Sequence, residues 1–273
     1  MPFDNLIPQV RAIVIDAARA ELLPRFAEVS RMFKADGSLV TAADTAMQRR
    51  MQLELTKRWP EYNFLGEEMP EQEQQAILTA SNGPGLWCLD PLDGTSNFVH
   101  GIPFFATSLA LVINGEPVAG WIYDPIRDEC FTAEKGKGAW LNEVAMPHMS
   151  ECPTLRRSMA AVDLKRLGPR LGATLAQSPP YGSQRSFGSS ALEWCWLAAN
   201  RFHIYLHGAQ KLWDYAAGTL ILSEAGGYAE TLDGEKVFSG GLGARSVVAA
   251  RDAALFEAWR SWIAEHNDPG SSE

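Results

Sequence analysis

Residues 87–95 read Trp-Cys-Leu-Asp-Pro-Leu-Asp-Gly-Thr, an apolar strand-like run that breaks on the two carboxylates Asp90 and Asp93. Pro91 fixes φ within the break, and Gly94 lets the backbone approach a ligand closely. Two carboxylates therefore converge at a strand end. Without a cation between them they would repel, and burial would drive one to keep its proton; a divalent ion reverses that balance. A hard cation bound by oxygen is the economical reading. Asp-Gly alone is an ordinary turn signal, so the argument rests on the other acidic residues at element ends. Glu67 and Glu68 follow Asn63-Phe64-Leu65 through Gly66, Asp44 lies in the first turn of one predicted helix, and Asp214 follows Trp213 at the start of another. Singly, each has a plain account as a solvated or helix N-terminal charge. Together they point to one acidic site. Thr95, Ser96 and Asn97 are expected to open a helix whose free N–H groups would favour a phosphate oxygen beside that site.

At 273 residues the chain is long enough for one large or two small domains around a true core. Its hydrophobic fraction of 46% and charged fraction of 21% exclude disorder, and no apolar run approaches the roughly 20 residues needed to span a bilayer. A net charge of −9 makes cations likelier ligands than a phosphate backbone. Lys165, Arg166 and Arg170 form a local basic cluster, read most simply as a solvated helix face. Cys88, Cys130, Cys152 and Cys195 show neither metal-ligand spacing nor disulfide density, which suits buried thiols in a reducing compartment, so a cytoplasmic protein without a signal peptide is expected.

Leu6, Val10, Ile13, Val14, Ala17 and Glu21 recur at helical spacing until Pro24. A second helix is capped by Thr41 with Asp44, continues through Met47, Met51 and Leu55, and stops at Pro60. Tyr62 to Leu65 and Leu86 to Leu89 read as strands. From Phe104 to Leu141, apolar runs separated by turn residues, Asn114-Gly115 foremost, predict an antiparallel meander. After about residue 150, strands (158–162, 184–187, 202–206) alternate with helices (164–175, 190–199, 212–224); strands near Tyr228 and over 246–250 and a helix over 252–265 complete the pattern. The expected organisation is an N-terminal α+β half over residues 1–150, a C-terminal α/β half over 151–266, and a frayed tail at 267–273.

Asp90-Pro91-Leu92-Asp93-Gly94-Thr95-Ser96-Asn97-Phe98, with Gly66-Glu67-Glu68 before it and Trp213-Asp214-Tyr215-Ala216-Ala217-Gly218 through Glu224-Ala225-Gly226-Gly227 after it, resembles the inositol monophosphatase family. The segment Lys34 to Asp44 fits that family as well, and the likeness runs from about residue 5 to 265. The resemblance implies an Mg²⁺-dependent, lithium-sensitive phosphomonoesterase, usually a homodimer, with a layered α/β/α/β/α sandwich of the sugar-phosphatase type. Glu67, Asp90 and the Leu92 carbonyl would then hold one metal, and Asp90, Asp93 and Asp214 a second. Asp44 and Thr95 would orient and deprotonate the attacking water, Glu68 would support the ligands, and Lys34 would stand near the substrate. Two metals suit direct in-line hydrolysis, with no covalent phosphoenzyme.

For substrate binding the resemblance adds Gly94, Thr95, Arg185, Gly188, Ser189 and Ser190. Where inositol phosphatases typically carry a glutamate, seven positions before the second-metal aspartate, this chain has His207, with Lys211 close by. A donor there favours a substrate bearing a second anion or acceptor. Asn97-Phe98 and His100-Gly101-Ile102-Pro103 instead resemble the inositol and broad sugar-phosphatase branches. Inositol 1-phosphate is therefore the leading substrate. Fructose 1,6-bisphosphate, a 3′(2′),5′-bisphosphate nucleotide and histidinol phosphate are alternatives, and a non-catalytic binding protein on the same fold is a further one.

Overall fold

The computed structural model describes residues 5–26, 32–33, 39–80, 84–147 and 153–267, so expectations placed on Lys34, Cys152 and positions 268–273 fall outside the described residues. In chain order the elements are α1 (Leu6–Glu21), β1 (Met32–Phe33), β2 (Leu39–Val40), α2 (Ala42–Arg58), β3 (Asn63–Gly66), α3 (Glu71–Thr79), β4 (Leu86–Asp93) and α4 (Thr95–Val99). The meander follows as β5 (Ala106–Ile113), β6 (Glu116–Asp124), β7 (Glu129–Glu134), β8 (Gly138–Leu141) and β9 (Val144–Ala145). The second half contains β10 (Met159–Asp163), α5 (Pro169–Gln177), β11 (Ser183–Arg185), α6 (Ser190–Ala198), β12 (Ile204–Gln210), α7 (Leu212–Glu224), β13 (Tyr228–Glu230), β14 (Arg245–Ala250) and α8 (Ala253–His266).

A seven-stranded sheet runs in the order β3-β4-β5-β6-β7-β8-β9, with β3 and β4 parallel and every later pair antiparallel. A five-stranded sheet, β11-β10-β12-β14-β13, has a parallel trio and two antiparallel additions. Helices α1 and α2 pack on the outer face of the larger sheet, α6 and α7 pack between the sheets, and α5 and α8 lie behind the smaller one. This is the expected α/β/α/β/α sandwich.

Covering both faces of a sheet explains the uninterrupted apolar runs of its central strands. On β4, Trp87 and Leu89 join the core shared with α1 and α2, whereas Leu86 and Cys88 join the core shared with α6 and α7. Tyr205 of β12 faces the middle layer, and Ile204 and Leu206 face α5 and α8. Each fully buried side chain of this size contributes roughly 1.5–3 kcal/mol, so the sandwich supplies a stiff frame for the strand ends.

Boundaries differ from the periodicity where local chemistry intervenes. The helix expected from Leu164 is a short 3₁₀ turn at Leu164–Arg166, and α5 starts only at Pro169, which lacks the N–H that a continuous helix would need. The strand expected from Phe202 runs instead from Ile204 to Gln210. Helix α3 escaped notice because Gln74 is its single buried residue and no apolar stripe marks it.

Candidate active site

The strand β4 does not stop at its apolar run but continues through Asp90-Pro91-Leu92-Asp93. Asp90 pairs in register with Ser108 and Asp93 with Ala106, so β4 holds one more residue than β5 across this interval. In a regular strand Asp90 and Asp93 would point to opposite faces; the extra residue brings them to the same one. Thr107 Oγ1 donates to the Pro91 carbonyl at 3.0 Å, giving the bulge a partner. Gly94 then turns the chain at φ +90°, a conformation that costs a side-chain-bearing residue, and opens the five-residue α4.

Other elements deliver the remaining carboxylates. Glu67 follows β3, its N–H donating to the Leu89 carbonyl at 3.0 Å. Two buried glutamines pin this corner: Gln48 Oε1 accepts from the Glu68 N–H at 2.9 Å, and Gln74 Nε2 donates to the Gly66 and Glu67 carbonyls at 2.9 and 3.1 Å. Asp214 lies in the first turn of α7, where its carboxylate accepts the Lys211 N–H at 2.9 Å. Ser108 Oγ donates to the Trp213 carbonyl at 3.1 Å, tying that helix start to β5 opposite Asp90.

Asp44 completes the capping box predicted at α2, accepting from the Thr41 N–H at 2.7 Å and the Thr41 hydroxyl at 2.6 Å. Its other oxygen is 3.2 Å from Thr95 Oγ1, which also reaches the Leu92 carbonyl at 3.0 Å. A helix cap is thereby recruited into a carboxylate–hydroxyl pair.

Electrostatics distinguish this corner. Burial, reinforced by Glu67, Asp93 and Asp214, pushes the Asp90 carboxyl well above the ordinary range. Burial and the charges of Asp93 and Glu67 do the same to Asp214. Asp93 is pushed up to about 6 by burial, against hydrogen bonds from Ser189 and Ala191 that pull it down. Burial raises Asp44 as well, opposed by Thr41. Among the described residues, no ion pair reaches Asp90, Asp93 or Asp214. The side chains stand near enough to repel, although no three acidic, histidine or cysteine groups among the described residues already close around a single point. Mutually repelling buried oxygens are the donor set that a hard divalent cation satisfies. A groove of about 710 Å³ between the Gly115 turn, α7 and Phe238 contains none of these residues.

The substrate-side expectations divide. Gly188 and Ser189 lie against the carboxylates: the Gly188 carbonyl packs on Gly94, and Ser189 Oγ donates to Asp93 Oδ2 at 2.5 Å. Ser190 begins α6 beside them. Arg185 turns back on its own strand, donating to Ser183 Oγ at 2.9 Å and the Gln184 carbonyl at 2.7 Å. The exposed Lys211 contributes its backbone to Asp214.

His207 requires a correction. It is buried, its Nε2 faces Asp163 Oδ2 at 3.5 Å, and its Nδ1 accepts the Ala209 N–H at 3.2 Å. Both ring nitrogens are engaged inside the fold, so His207 is no free donor to a ligand. Arg166, expected on a solvated basic face, lies exposed on the 3₁₀ turn after β10. A side chain at Gly208 would collide with the Arg166 carbonyl, so the glycine lets this turn sit against β12, and the exposed arginine's charge is felt at Asp214.

The inositol monophosphatase family model matches residues 8–266. The chain belongs to the inositol monophosphatase family. An inositol-1-monophosphatase of Caulobacter vibrioides is 36% identical over 232 residues, covering 81% of this chain and 88% of that protein. Among solved structures, the Thermotoga maritima IMPase superposes with a TM-score of 0.82 at 26% identity, covering 96% of this chain and 98% of that one. A staphylococcal IMPase-II solved with inositol monophosphate bound superposes at 0.78 with 25% identity, covering 96% of each chain. Family membership, with curated relatives that are inositol-1-monophosphatases, makes this chain a phosphoric monoester hydrolase of the inositol phosphatase type.

Proposed function

We propose that the protein is an Mg²⁺-dependent phosphomonoesterase acting on a small phosphorylated metabolite, inositol 1-phosphate foremost. The convergence of Glu67, Asp90, Asp93 and Asp214 from three separate parts of the chain, with burial and neighbouring carboxylates raising the proton affinity of Asp90, Asp93 and Asp214, carries this reading. Glu67, Asp90 and the Leu92 carbonyl would hold one ion; Asp90, Asp93 and Asp214 would hold a second. When bound, the ions supply neutralisation of the phosphate charge and acidification of a water. The chain's own groups do the rest. Asp44, kept poised by Thr41, draws on the Thr95 hydroxyl, which orients the attacking water and passes on its proton. Glu68 supports this corner. Gly94, Gly188, Ser189 and Ser190 shape the wall on which the ester lies.

The two halves, residues 1–150 and 151–266, contribute to one site, because Asp93 of the first accepts from Ser189 and Ala191 of the second. Buried, unpaired Cys88, Cys130 and Cys195 support a cytoplasmic location, and none of the described helices is long and apolar enough to cross a membrane. A homodimer is expected on the family resemblance.

Phosphate release from inositol 1-phosphate, with and without Mg²⁺, tests the reading; turnover that survives chelation sinks it. One observation favours a second reading. Arg166 offers a planar, always-charged fork at the edge of the site, suited to a second phosphate or a carboxylate. Fructose 1,6-bisphosphate and adenosine 3′,5′-bisphosphate turned over faster than inositol 1-phosphate would favour it.

A further inference from the structure

Glu193 sits in an apolar helix between Leu192 and Trp194, is 4% exposed, and forms no ion pair among the described residues. Burying a carboxyl in such surroundings is costly unless donors satisfy it. The Phe187 N–H donates to Oε1 at 3.0 Å, and the Gly188 N–H and the Tyr205 hydroxyl face the same carboxyl as further donors. Tyr205 in turn accepts from Gln210 Nε2 at 2.5 Å, and Gln210 Oε1 accepts from Trp194 Nε1 at 3.0 Å. Tyr205, Gln210 and Trp194 have no measurable exposure.

Both ends of this chain of contacts reach a candidate ligand. At one end, Glu193 holds the Phe187–Gly188 backbone while Asn97 Nδ2 holds the same loop from the far side, donating to the Phe187 and Phe104 carbonyls at 2.7 Å each. That loop leads directly into Ser189 and Ala191, which donate to Asp93 Oδ2 at 2.5 and 2.7 Å. Gly188, at φ +79°, turns the loop with Asn97 packed where a side chain would otherwise stand. At the other end, Gln210 immediately precedes Lys211, whose N–H is bound by Asp214.

We infer that Glu193, Tyr205 and Gln210 are positioning residues, a buried relay that sets Asp93 and Asp214 as one unit, so that metal affinity depends on groups that touch no metal. The inference rests on the assignment of Asp93 and Asp214 as ligands. Burial pushes the Glu193 carboxyl up to about 7, which fits an acid that serves as an acceptor of neutral donors rather than as a charge partner. Second-layer groups of this kind are worth about 10- to 100-fold in metal affinity.

The test is calorimetric titration of Mg²⁺, with Mn²⁺ as a second probe, into the metal-free full-length protein, alongside thermal unfolding in the absence of metal. Tyr205→Phe deletes one hydroxyl and keeps the ring, so it should fold and bind the ions about 10-fold more weakly. Glu193→Leu should do the same or worse, whereas Glu193→Gln, which retains a carbonyl acceptor, should restore most of the affinity. In a double-mutant cycle, Tyr205→Phe and Ser189→Ala should be non-additive, because both act on the same loop. Folded Tyr205→Phe with unchanged affinity, or strict additivity in the cycle, overturns the relay. If Glu193→Leu does not fold, the Tyr205→Phe arm decides alone. Asp93→Asn binding metal as tightly as the unaltered protein would instead refute the ligand assignment, a failure distinguishable from that of the relay.

Discussion

Asp90–Asp93 at the end of β4, where Asp90 is buried, and Asp163–His207 across β10 and β12, where the acid is half-buried, are two acidic corners that treat charge in opposite ways. At β4 the carboxylates meet hydroxyl and N–H donors and one another, and burial with repulsion raises their proton affinity. At β10 partial burial would raise Asp163 too, but the His207 hydrogen bond and the charges of Lys165 and Arg166 hold it below the ordinary carboxylate range. Negative charge held in place without a cation retains the capacity to bind one. Where a partner is built in, that capacity is spent on the fold.

If the contrast is sound, mutations should separate the two corners. Asp93→Asn should lower kcat/KM by about 10³-fold or more, since an amide offers less charge to a metal and to the phosphate it neutralises; a loss under tenfold in phosphate-release assays would break the contrast. Thr95→Val should cost about 10²-fold, chiefly in kcat, because it removes a proton carrier while leaving the acidic corner intact. Steady-state kinetics separates that outcome from a change in KM.

A pH experiment sharpens the contrast. The carboxyl of Glu193 has its folded value raised to about 7 from the usual 4.5. Its contribution to stability is therefore complete below the unfolded value and is lost as pH rises through about 7. Glu193→Gln should flatten chemical-denaturation stability of the metal-free protein between pH 5 and 8, by up to about 3 kcal/mol. An unchanged slope would refute the burial argument. Arg166→Ala should depress turnover of bisphosphates by about tenfold and leave inositol 1-phosphate nearly unaffected, as a substrate panel would detect. The smallest effect is expected at His207→Gln, within about twofold in kcat/KM, since the ring is committed to Asp163 and Ala209 and bears on stability rather than turnover.

The sequence exposes the first corner well because its chemistry is local. Asp90, Pro91, Asp93 and Gly94 lie on one short stretch, the Thr41–Asp44 capping box has a fixed spacing, and Leu6–Glu21 and Leu212–Glu224 follow helical periodicity to their ends. The supporting groups come from distant segments with no local signature. Gln48 and Gln74 meet Glu67 and Glu68 only after α2 and α3 pack beside β3. His207 occupies a position that the family resemblance gives to a substrate contact, yet the β10–β12 register places it opposite Asp163, a pairing set by tertiary structure alone. The placement of the Arg166 turn against β12 has no local signature for a similar reason, because it depends on Gly208 forty-two positions later. Glu193 did leave a trace, an isolated acid between Leu192 and Trp194, which would have marked a buried polar contact without naming its partners.

The account depends most on the acidic corner acting through a divalent ion. Phosphate release from inositol 1-phosphate by the purified protein, followed as Mg²⁺ is added to the metal-free form, tests this most directly. Activity should be absent without the ion, rise saturably with it, and stay at background in Asp93→Asn throughout. Undiminished turnover in the chelated protein would contradict the account.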